Sequence, residues 1–186
     1  GKNFQPGIGY VQRTDIRESY LETEVGPRTR RFGLMKVFFG GSGRYLTDLD
    51  NGRLGWTVKA VPLGLKFSSG DSVQISASRE NDLLLEDFHI HSRHTIARGD
   101  YVFTRYEVTG QSAPRRRFWA SLTGRGGEFY DGSRRDVVAA IGYKVAVPFY
   151  VGLDAERDHV LLPSGHFVTT VSRLNTNLLF SPRVTL

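Results

Sequence analysis

The chain of 186 residues contains no cysteine and a single methionine. Without thiols it can form neither a disulfide framework nor a cysteine metal site, and it has no thiolate nucleophile. It also lacks any long uncharged apolar run, which excludes a transmembrane helix. A membrane-spanning β-strand, however, needs only about 9 to 11 residues with every second one apolar. These absences therefore leave both a membrane barrel and a soluble β domain open.

The charge of the chain gives little support to a nucleic-acid partner. The net charge is +6 and the pI is near 9.8, which would suit an anionic partner. The arginines are nevertheless scattered or grouped in turn-like stretches such as GPRTRR and APRRR, without a dense basic stripe. We therefore expect no nucleic acid among the partners. The hydrophobic content of 39% excludes disorder, and the length suits one domain.

The chain shows period-two alternation of apolar and polar residues, and no segment keeps a helical apolar period for three turns. In the clearest run, DVVAAIGYKVAV, one face is wholly apolar and the other is small or charged. This pattern predicts an all-β fold, an antiparallel up-and-down meander of about ten strands. We place the strands near residues 16–25, 31–45, 53–67, 71–80, 98–109, 116–125, 136–147, 149–158 and 166–180, with a tenth beginning at 183.

The predicted connectors alternate between short and long. The short ones, after the odd-numbered strands, are GPRTR, SSGD, GQSAP, the VPF corner and SPR. The longer ones, after the even-numbered strands, are TDLDNG, ENDLLLEDFHIHSRHTIARGD, GGEFYDGSRR and HVLLPSG. Short turns at one rim and long loops at the other are typical of a transmembrane β-barrel, whereas a Greek-key sandwich has no reason to alternate in this way.

Charged residues fall mostly on the less apolar faces of the predicted strands. Arg105, Glu107, Lys144, Asp154 and Glu156 are the clearest cases. Charge is costly in a dry core but not in a wet barrel lumen, so we expect these residues to face a lumen. A soluble β-barrel or sandwich that binds a ligand, with its polar face in bulk water, is the first alternative.

Four short segments, in order along the chain, carry a resemblance to a known family. The segments are NFQPGIGYVQRTDIR (Asn3 to Arg17), GEFYDGSRR (Gly127 to Arg135), LPSGHFVTT (Leu162 to Thr170) and FSPR (Phe180 to Arg183). Together they resemble the C-terminal barrel of a bacterial family of unknown function, in which a barrel-like region follows an N-terminal module similar to family-nine carbohydrate-binding domains.

The resemblance implies an outer-membrane β-barrel of a Gram-negative envelope, with the lipid bilayer and lipopolysaccharide as partners. Residues 1–186 would be a single barrel segment, truncated at both ends relative to a longer parent protein. The carbohydrate-binding-like module would precede Gly1, so its sugar binding is not assigned to this chain. We expect a membrane anchor, or a passage for a polysaccharide or small polar solute, with no enzymatic activity and no cofactor.

The longest predicted connector contains candidate metal ligands. His89, His91 and His94 lie in FHIHSRH, and an H-x-H pair can present two imidazoles to a metal on one side of a strand. Glu86 and Asp87 could add oxygen ligands. The competing interpretation is an exposed polar loop, so the sequence assigns no metal here.

The apolar residues 83–85 lie in the same connector. They could fold inward as a plug or close over the rim of a barrel. We expect them to pack against their own loop instead.

Two further sets of residues suggest chemistry. Ser164 and His166 raise the second alternative, a barrel-embedded hydrolase, although residues so close on one strand supply no third orienting group. Asp154, Glu156 and Asp158 alternate along one strand and could act in acid/base or cation-binding work. We expect these carboxylates to pair with Arg or Lys on neighbouring strands, and we assign no catalytic residue.

Overall fold

The computed structural model describes residues 16–91, 94–146, 149–181 and 184–185, and almost all of them are β-structure. The strands are β1 (Ile16–Val25), β2 (Leu34–Asp48), β3 (Arg53–Phe67), β4 (Ser72–Leu84), β5 (Phe88–His91), β6 (His94–Ile96), β7 (Gly99–Gln111), β8 (Phe118–Phe129), β9 (Gly132–Ala146), β10 (Phe149–Leu162), β11 (Gly165–Ser181) and β12 (Val184–Thr185). A single 3-10 turn, Arg31–Gly33, is the only helical piece of the described chain.

The main sheet has the order β1-β2-β3-β4-β7-β8-β9-β10-β11-β12, and all neighbouring strands are antiparallel. Every strand pairs with its neighbour along the chain except where the separate β5–β6 hairpin is inserted between β4 and β7. The prediction of an all-β, antiparallel up-and-down meander of about ten strands is therefore confirmed. Within the described residues the first and last strands do not pair with each other, so the sheet is open.

The predicted alternation of short and long connectors is wrong. Residues 49–52, 130–131 and 163–164 form three of the connectors that were predicted to be long. They are no longer than 26–33 and 112–117, which were predicted to be short. Among the described connectors only the one between β4 and β7 is long, and it contains the hairpin.

Several strands extend further than predicted, which explains why the connectors after them are short. β4, β8 and β10 end at residues 84, 129 and 162, against predicted ends at 80, 125 and 158. The residues beyond the predicted ends keep the period-two pattern, and tight turns then reverse the chain. Tyr130 (φ +52°) and Gly165 (φ +133°) adopt positive φ at two of these turns. The VPF corner at 147–148 and the SPR turn at 182–183 lie outside the described residues, as do residues 3–15 of the first family-like segment.

One end of the sheet, which we call the turn end, carries the connectors 68–71 and 112–117. Asp71 ties these two connectors together, because its carboxylate accepts hydrogen bonds from the Ser69 hydroxyl (2.7 Å), the Ala113 N–H (2.9 Å) and the Arg116 guanidinium (2.7 Å). The Ser69 bond, then those of Ala113 and Arg116, hold the pKa of Asp71 below its ordinary value. The opposite end, which carries the β5–β6 hairpin, we call the hairpin end.

The sheet has one apolar and one polar face, because side chains alternate along every strand. On the apolar face, large aliphatic side chains remain 37–68% exposed. They include Val58, Leu63, Val73, Ile75, Val108, Leu122, Val137, Ile141, Leu153 and Leu174. The polar face carries most of the charged side chains of the strands, together with the only core cluster found among the described residues.

Candidate functional site

A row of oppositely charged side chains crosses the polar face from β3 to β10. Glu107 accepts hydrogen bonds from Lys59 Nζ (2.8 Å) and Arg125 Nε (2.8 Å), and the Ser76 hydroxyl donates to it at 3.3 Å. These contacts join β3, β4, β7 and β8. In the first half of the row, the Glu107 carboxylate therefore lies between two cationic donors, Lys59 and Arg125.

The second half of the row is centred on Asp136, which is only 1% exposed. Its carboxylate contacts Arg105 at 2.5 Å, Arg134 at 3.2 Å and Arg125 at 3.3 Å. Arg134 also reaches Asp158 on β10 at 2.6 Å, and Glu156 at 3.7 Å. We call the whole set the ion-pair ladder: Lys59, Arg105, Glu107, Arg125, Arg134, Asp136, Glu156 and Asp158.

The ladder follows from the register of the strands. Glu107 lies opposite Arg125, and Arg125 lies opposite Asp136. Directly opposed residues on one face of an antiparallel pair have their Cβ atoms about 5 Å apart, so opposite charges there form ion pairs. Asp158 is the exception, because it lies opposite Asp136. Arg134 compensates for this like-charge pair by contacting both carboxylates.

Asp136, Glu156 and Asp158 are also the one carboxylate group among the described residues that could converge on a cation, with oxygen atoms within 4.8 Å of one another. Three guanidinium groups already contact Asp136. A metal ion would have to displace them or sit beside them, and like charges disfavour both. The arrangement therefore fits a charge-compensated ladder, and we assign no metal to it.

The residues predicted to face a lumen all lie on the polar face. Arg105, Glu107 and Glu156 belong to the ion-pair ladder. Asp154 instead accepts a hydrogen bond from the side-chain amide of Asn175. Lys144 lies near the turn end, where its ammonium group donates to the Pro114 carbonyl at 2.7 Å. Whether this face encloses a lumen stays a prediction.

Sequence reasoning missed half of the ladder. Lys59, Arg125, Arg134 and Asp136 were not singled out, although Asp136 is its most buried member. Arg134 lies in GGEFYDGSRR, which was predicted to be a loop and is instead strand, tight turn and strand. The usable signal was the period-two spacing of Arg134, Asp136 and Val138, which continues the pattern of β9 backwards.

The described histidines do not converge on a metal position. His89 Nδ1 lies 2.7 Å from the Thr95 hydroxyl on the partner strand of the hairpin. His94 is buried, stacks on Phe167 with ring centroids 5.3 Å apart, and places Nδ1 3.0 Å from the Ser164 hydroxyl. The side chain of His91 lies outside the described residues.

Ser164 and His166, the pair behind the hydrolase alternative, point to different partners. The Ser164 hydroxyl contacts His94. His166 instead stacks against His159, with ring centroids 6.4 Å apart. The two side chains that the hydrolase alternative would need together therefore have different partners. Ser164 and His94 instead connect the β10–β11 turn to the hairpin.

The β5–β6 hairpin packs over the polar face at the hairpin end. Its Ile96 is 1% exposed and joins a cluster of strand-end side chains, and Phe88 and Ile90 pack against it. The other buried members are Leu84, Phe129, Val160, Leu162 and Phe167. In a flat sheet β4 and β11 would be about 24 Å apart, at roughly 4.8 Å per strand spacing. The hairpin and this cluster, which we call the cap, therefore link distant strands.

The expectation that residues 83–85 pack against their own loop agrees with Leu84, which shares a cluster with Ile96 of the same predicted connector, but that cluster also extends to distant strands. Leu84 is buried among side chains of β8, β10 and β11, while its neighbour Leu85 is 65% exposed. The alternation of β4 continues to this point, so Leu84 faces the cap and not solvent. Residues 83 and 84 belong to β4, so it is the β5–β6 hairpin, and not this segment, that covers the end of the sheet.

Comparison of the chain with protein-family models, with curated proteins and with solved structures gave no match. Within the described residues, no helix is long and apolar enough to cross a membrane. Function is therefore inferred from the two faces of the sheet, the ion-pair ladder and the cap.

Proposed function

We propose that this chain is a wall segment of a β-barrel in the outer membrane of a Gram-negative envelope. Its role is that of a membrane anchor or a passage for a polar solute. The observation that carries the proposal is the apolar face, where aliphatic side chains repeat from β3 to β11 and stay 37–68% exposed. Monomeric soluble proteins rarely expose a contiguous apolar surface of this kind.

The free energy of covering the apolar face with lipid is comparable with the stability of a whole domain. Covering a fully exposed Val, Leu or Ile side chain with an apolar medium stabilises a protein by about 1.5–3 kcal/mol. The apolar face carries at least ten such side chains, each roughly half exposed, so lipid contact is worth on the order of 10 kcal/mol. That is comparable with the whole stability of a typical domain.

Strand length and charge placement support the same proposal. The strands of the main sheet from β2 to β11 contain 12 to 17 residues, against the roughly 9 to 11 needed to cross a bilayer. Charged residues of the ion-pair ladder lie on the opposite face from the aliphatic residues, as lumen-facing and lipid-facing residues do in a barrel. The excess length would extend the wall beyond the hydrocarbon core.

The proposed partners follow from the location. Lipid would contact the aliphatic residues of the apolar face. Arg135 and Arg157 are exposed on the same face toward the hairpin end, where guanidinium groups would suit the phosphates of lipopolysaccharide. The N-terminal carbohydrate-binding-like module of a parent chain remains part of the proposal.

The soluble alternative requires the apolar face to be covered by protein. A soluble β-barrel or sandwich would have to bury the aliphatic side chains of this face against a second layer. Within the described residues the core cluster lies on the polar face, and no second layer covers the apolar one. This observation favours the membrane proposal over the soluble one.

The test is fractionation and refolding of the protein that carries this chain. We expect recovery in the outer membrane, and a gel mobility in detergent that changes on heating, because a closed barrel resists unfolding until it is boiled. A product that is soluble and monodisperse without detergent would remove the membrane proposal.

A further inference from the structure

Two aromatic rings lie on the polar face near the turn end, away from the ion-pair ladder. Trp119 on β8 and Tyr150 on β10 have nearly parallel ring planes, at 5° to each other, with centroids 6.4 Å apart. This separation is too large for direct face-to-face contact, so the rings are offset. Both side chains are partly exposed.

The strands between the rings present glycine on the same face. Trp119 lies opposite Gly142 on β9, and Gly142 lies opposite Gly152 on β10. A Cβ atom on Gly142 would be 2.5 Å from Cε2 of Trp119 and 2.5 Å from the Tyr150 hydroxyl. A Cβ atom on Gly152 would be 2.5 Å from that hydroxyl and 3.0 Å from Cζ of the same ring.

The two rings therefore occupy the space directly above two adjacent glycines and lie across the sheet. Any side chain at Gly142 or Gly152 would lift the rings out of this position. Their ring planes are parallel and both side chains are partly exposed, so aromatic surface of the pair is open to the space above the polar face. We call this surface the aromatic platform.

Hydrogen-bonding groups flank the aromatic platform one step further along the strands. Asp154, whose carboxylate accepts from Asn175, is two residues from Gly152, or about 6.6 Å at the usual rise of roughly 3.3 Å per residue. Arg173 lies opposite Asp154, is exposed, and has no ion pair with another described residue. Ser121 lies two residues from Trp119 on the same face.

Exposed aromatic surface beside a carboxylate, an amide and a guanidinium matches the chemistry of a pyranose. A sugar ring has one face of C–H groups, which packs on aromatic rings, and hydroxyl groups at its edge, which donate to carboxylates and accept from amides and guanidinium groups. We propose that the aromatic platform binds a sugar unit of a neutral oligosaccharide, with Asp154, Asn175 and Arg173 binding its hydroxyls.

This inference deepens the proposed passage function, on which it rests, by naming the class of solute. It concerns the residues of this chain and not a separate carbohydrate-binding module. The platform lies at the turn end, whereas the cap covers the hairpin end. A saccharide would therefore meet the rings at the uncapped end of the polar face.

The fluorescence emission of Trp119 can report sugar binding. The chain has two tryptophans, so Trp56→Phe leaves Trp119 as the only one. Maltopentaose, cellopentaose and N-acetylchitopentaose are titrated into this variant of the full chain in detergent. We expect at least one of them to change the Trp119 emission in a saturable way.

Substitutions then test whether the sugar binds at the aromatic platform. Tyr150→Ala should weaken the binding about tenfold, equivalent to roughly 1.4 kcal/mol of lost ring contact. Asp154→Asn should also weaken it. Phe118→Ala is the matched control, because Phe118 is an aromatic neighbour of Trp119 that lies on the apolar face and is exposed. It should leave the affinity unchanged.

The outcomes separate this inference from the membrane proposal. Outer-membrane recovery without a saturable response to any of the three sugars would overturn the platform and leave the barrel standing. Saturable binding by a protein that needs no detergent would retain the platform and remove the barrel. Binding that Tyr150→Ala leaves intact, or that Phe118→Ala weakens equally, would also overturn the platform.

Discussion

The cap is held to the sheet mainly by apolar contacts, so removing its most buried side chain should release it. Ile96→Ala deletes the carbon atoms beyond Cβ of a side chain that is 1% exposed. At about 0.8 kcal/mol per buried methylene, the lost transfer free energy is roughly 2.5 kcal/mol, and the cavity raises the total to about 3 kcal/mol. The opening equilibrium of the hairpin should then increase about a hundredfold.

Native-state proteolysis measures this opening. Arg98 follows the hairpin, is exposed, and has its backbone N–H bound to Asp87 at 2.8 Å. When opening and closing are fast relative to cleavage, the rate of tryptic cleavage after Arg98 follows the population of the open form. We expect this rate to increase strongly in Ile96→Ala, while the sheet stays folded and keeps its gel mobility in detergent.

Leu85→Ala supplies the control. Leu85 lies in the same connector but is 65% exposed, so its truncation should change the cleavage rate little. Equal cleavage of Ile96→Ala and the wild type would refute the view that the cap is held by its apolar cluster. Equal acceleration by both variants would show that the connector opens independently of the cluster.

Three further predictions concern the rest of the sheet. Val108→Arg, which puts a charge on the apolar face, should make the free energy of membrane insertion about 2–4 kcal/mol less favourable. Thr109→Arg on the polar face should have a much smaller effect. The yields of the two variants on refolding into lipid vesicles test this difference. Asp136→Asn should lower the free energy of unfolding, measured by urea titration, by about 3 kcal/mol, because three guanidinium groups lose their shared counter-charge. An unchanged midpoint of urea unfolding would show that the ladder does not stabilise the fold. The pKa of Asp71 is lowered in the fold, so its contribution to stability is present above its unfolded value near 3.8 and is lost as pH falls through the folded value. Asp71→Asn should therefore flatten the stability profile below about pH 4, and an unaltered acid limb would contradict this.

The period-two pattern was sufficient to predict the strands of the main sheet and their faces, but not β5 and β6, which lie in a predicted connector. In β9 and β10 the apolar set containing Ile141 and Leu153 is separated from the polar set containing Asp154 and Glu156, as the structure shows. Alternation specifies a face because every second side chain points the same way. It does not specify where a strand ends, which is why β4, β8 and β10 were predicted four residues too short at their ends.

The contacts of the candidate site could not be predicted in the same way. The Arg134–Asp158 ion pair depends on the register between β9 and β10, and one residue of slip would move either partner to the other face. The contact between His94 and Ser164 joins positions 70 residues apart, and nothing in the local pattern of either segment indicates it. Local periodicity thus predicts which face a residue lies on, while its partner depends on the folded sheet.

The position of the cap sets an order for folding. Nearly every strand pairs with the strand made just before it, so the sheet can grow hairpin by hairpin at a low cost in loop-closure entropy. The cap is different, because Ile96 needs Val160 and Phe167, which are reached only after several more strands. Until β10 and β11 have formed, the apolar side of the β5–β6 hairpin lacks its partners. Closure of the cap should therefore be a late folding step, and its protection from protease would report that the far strands have joined the sheet.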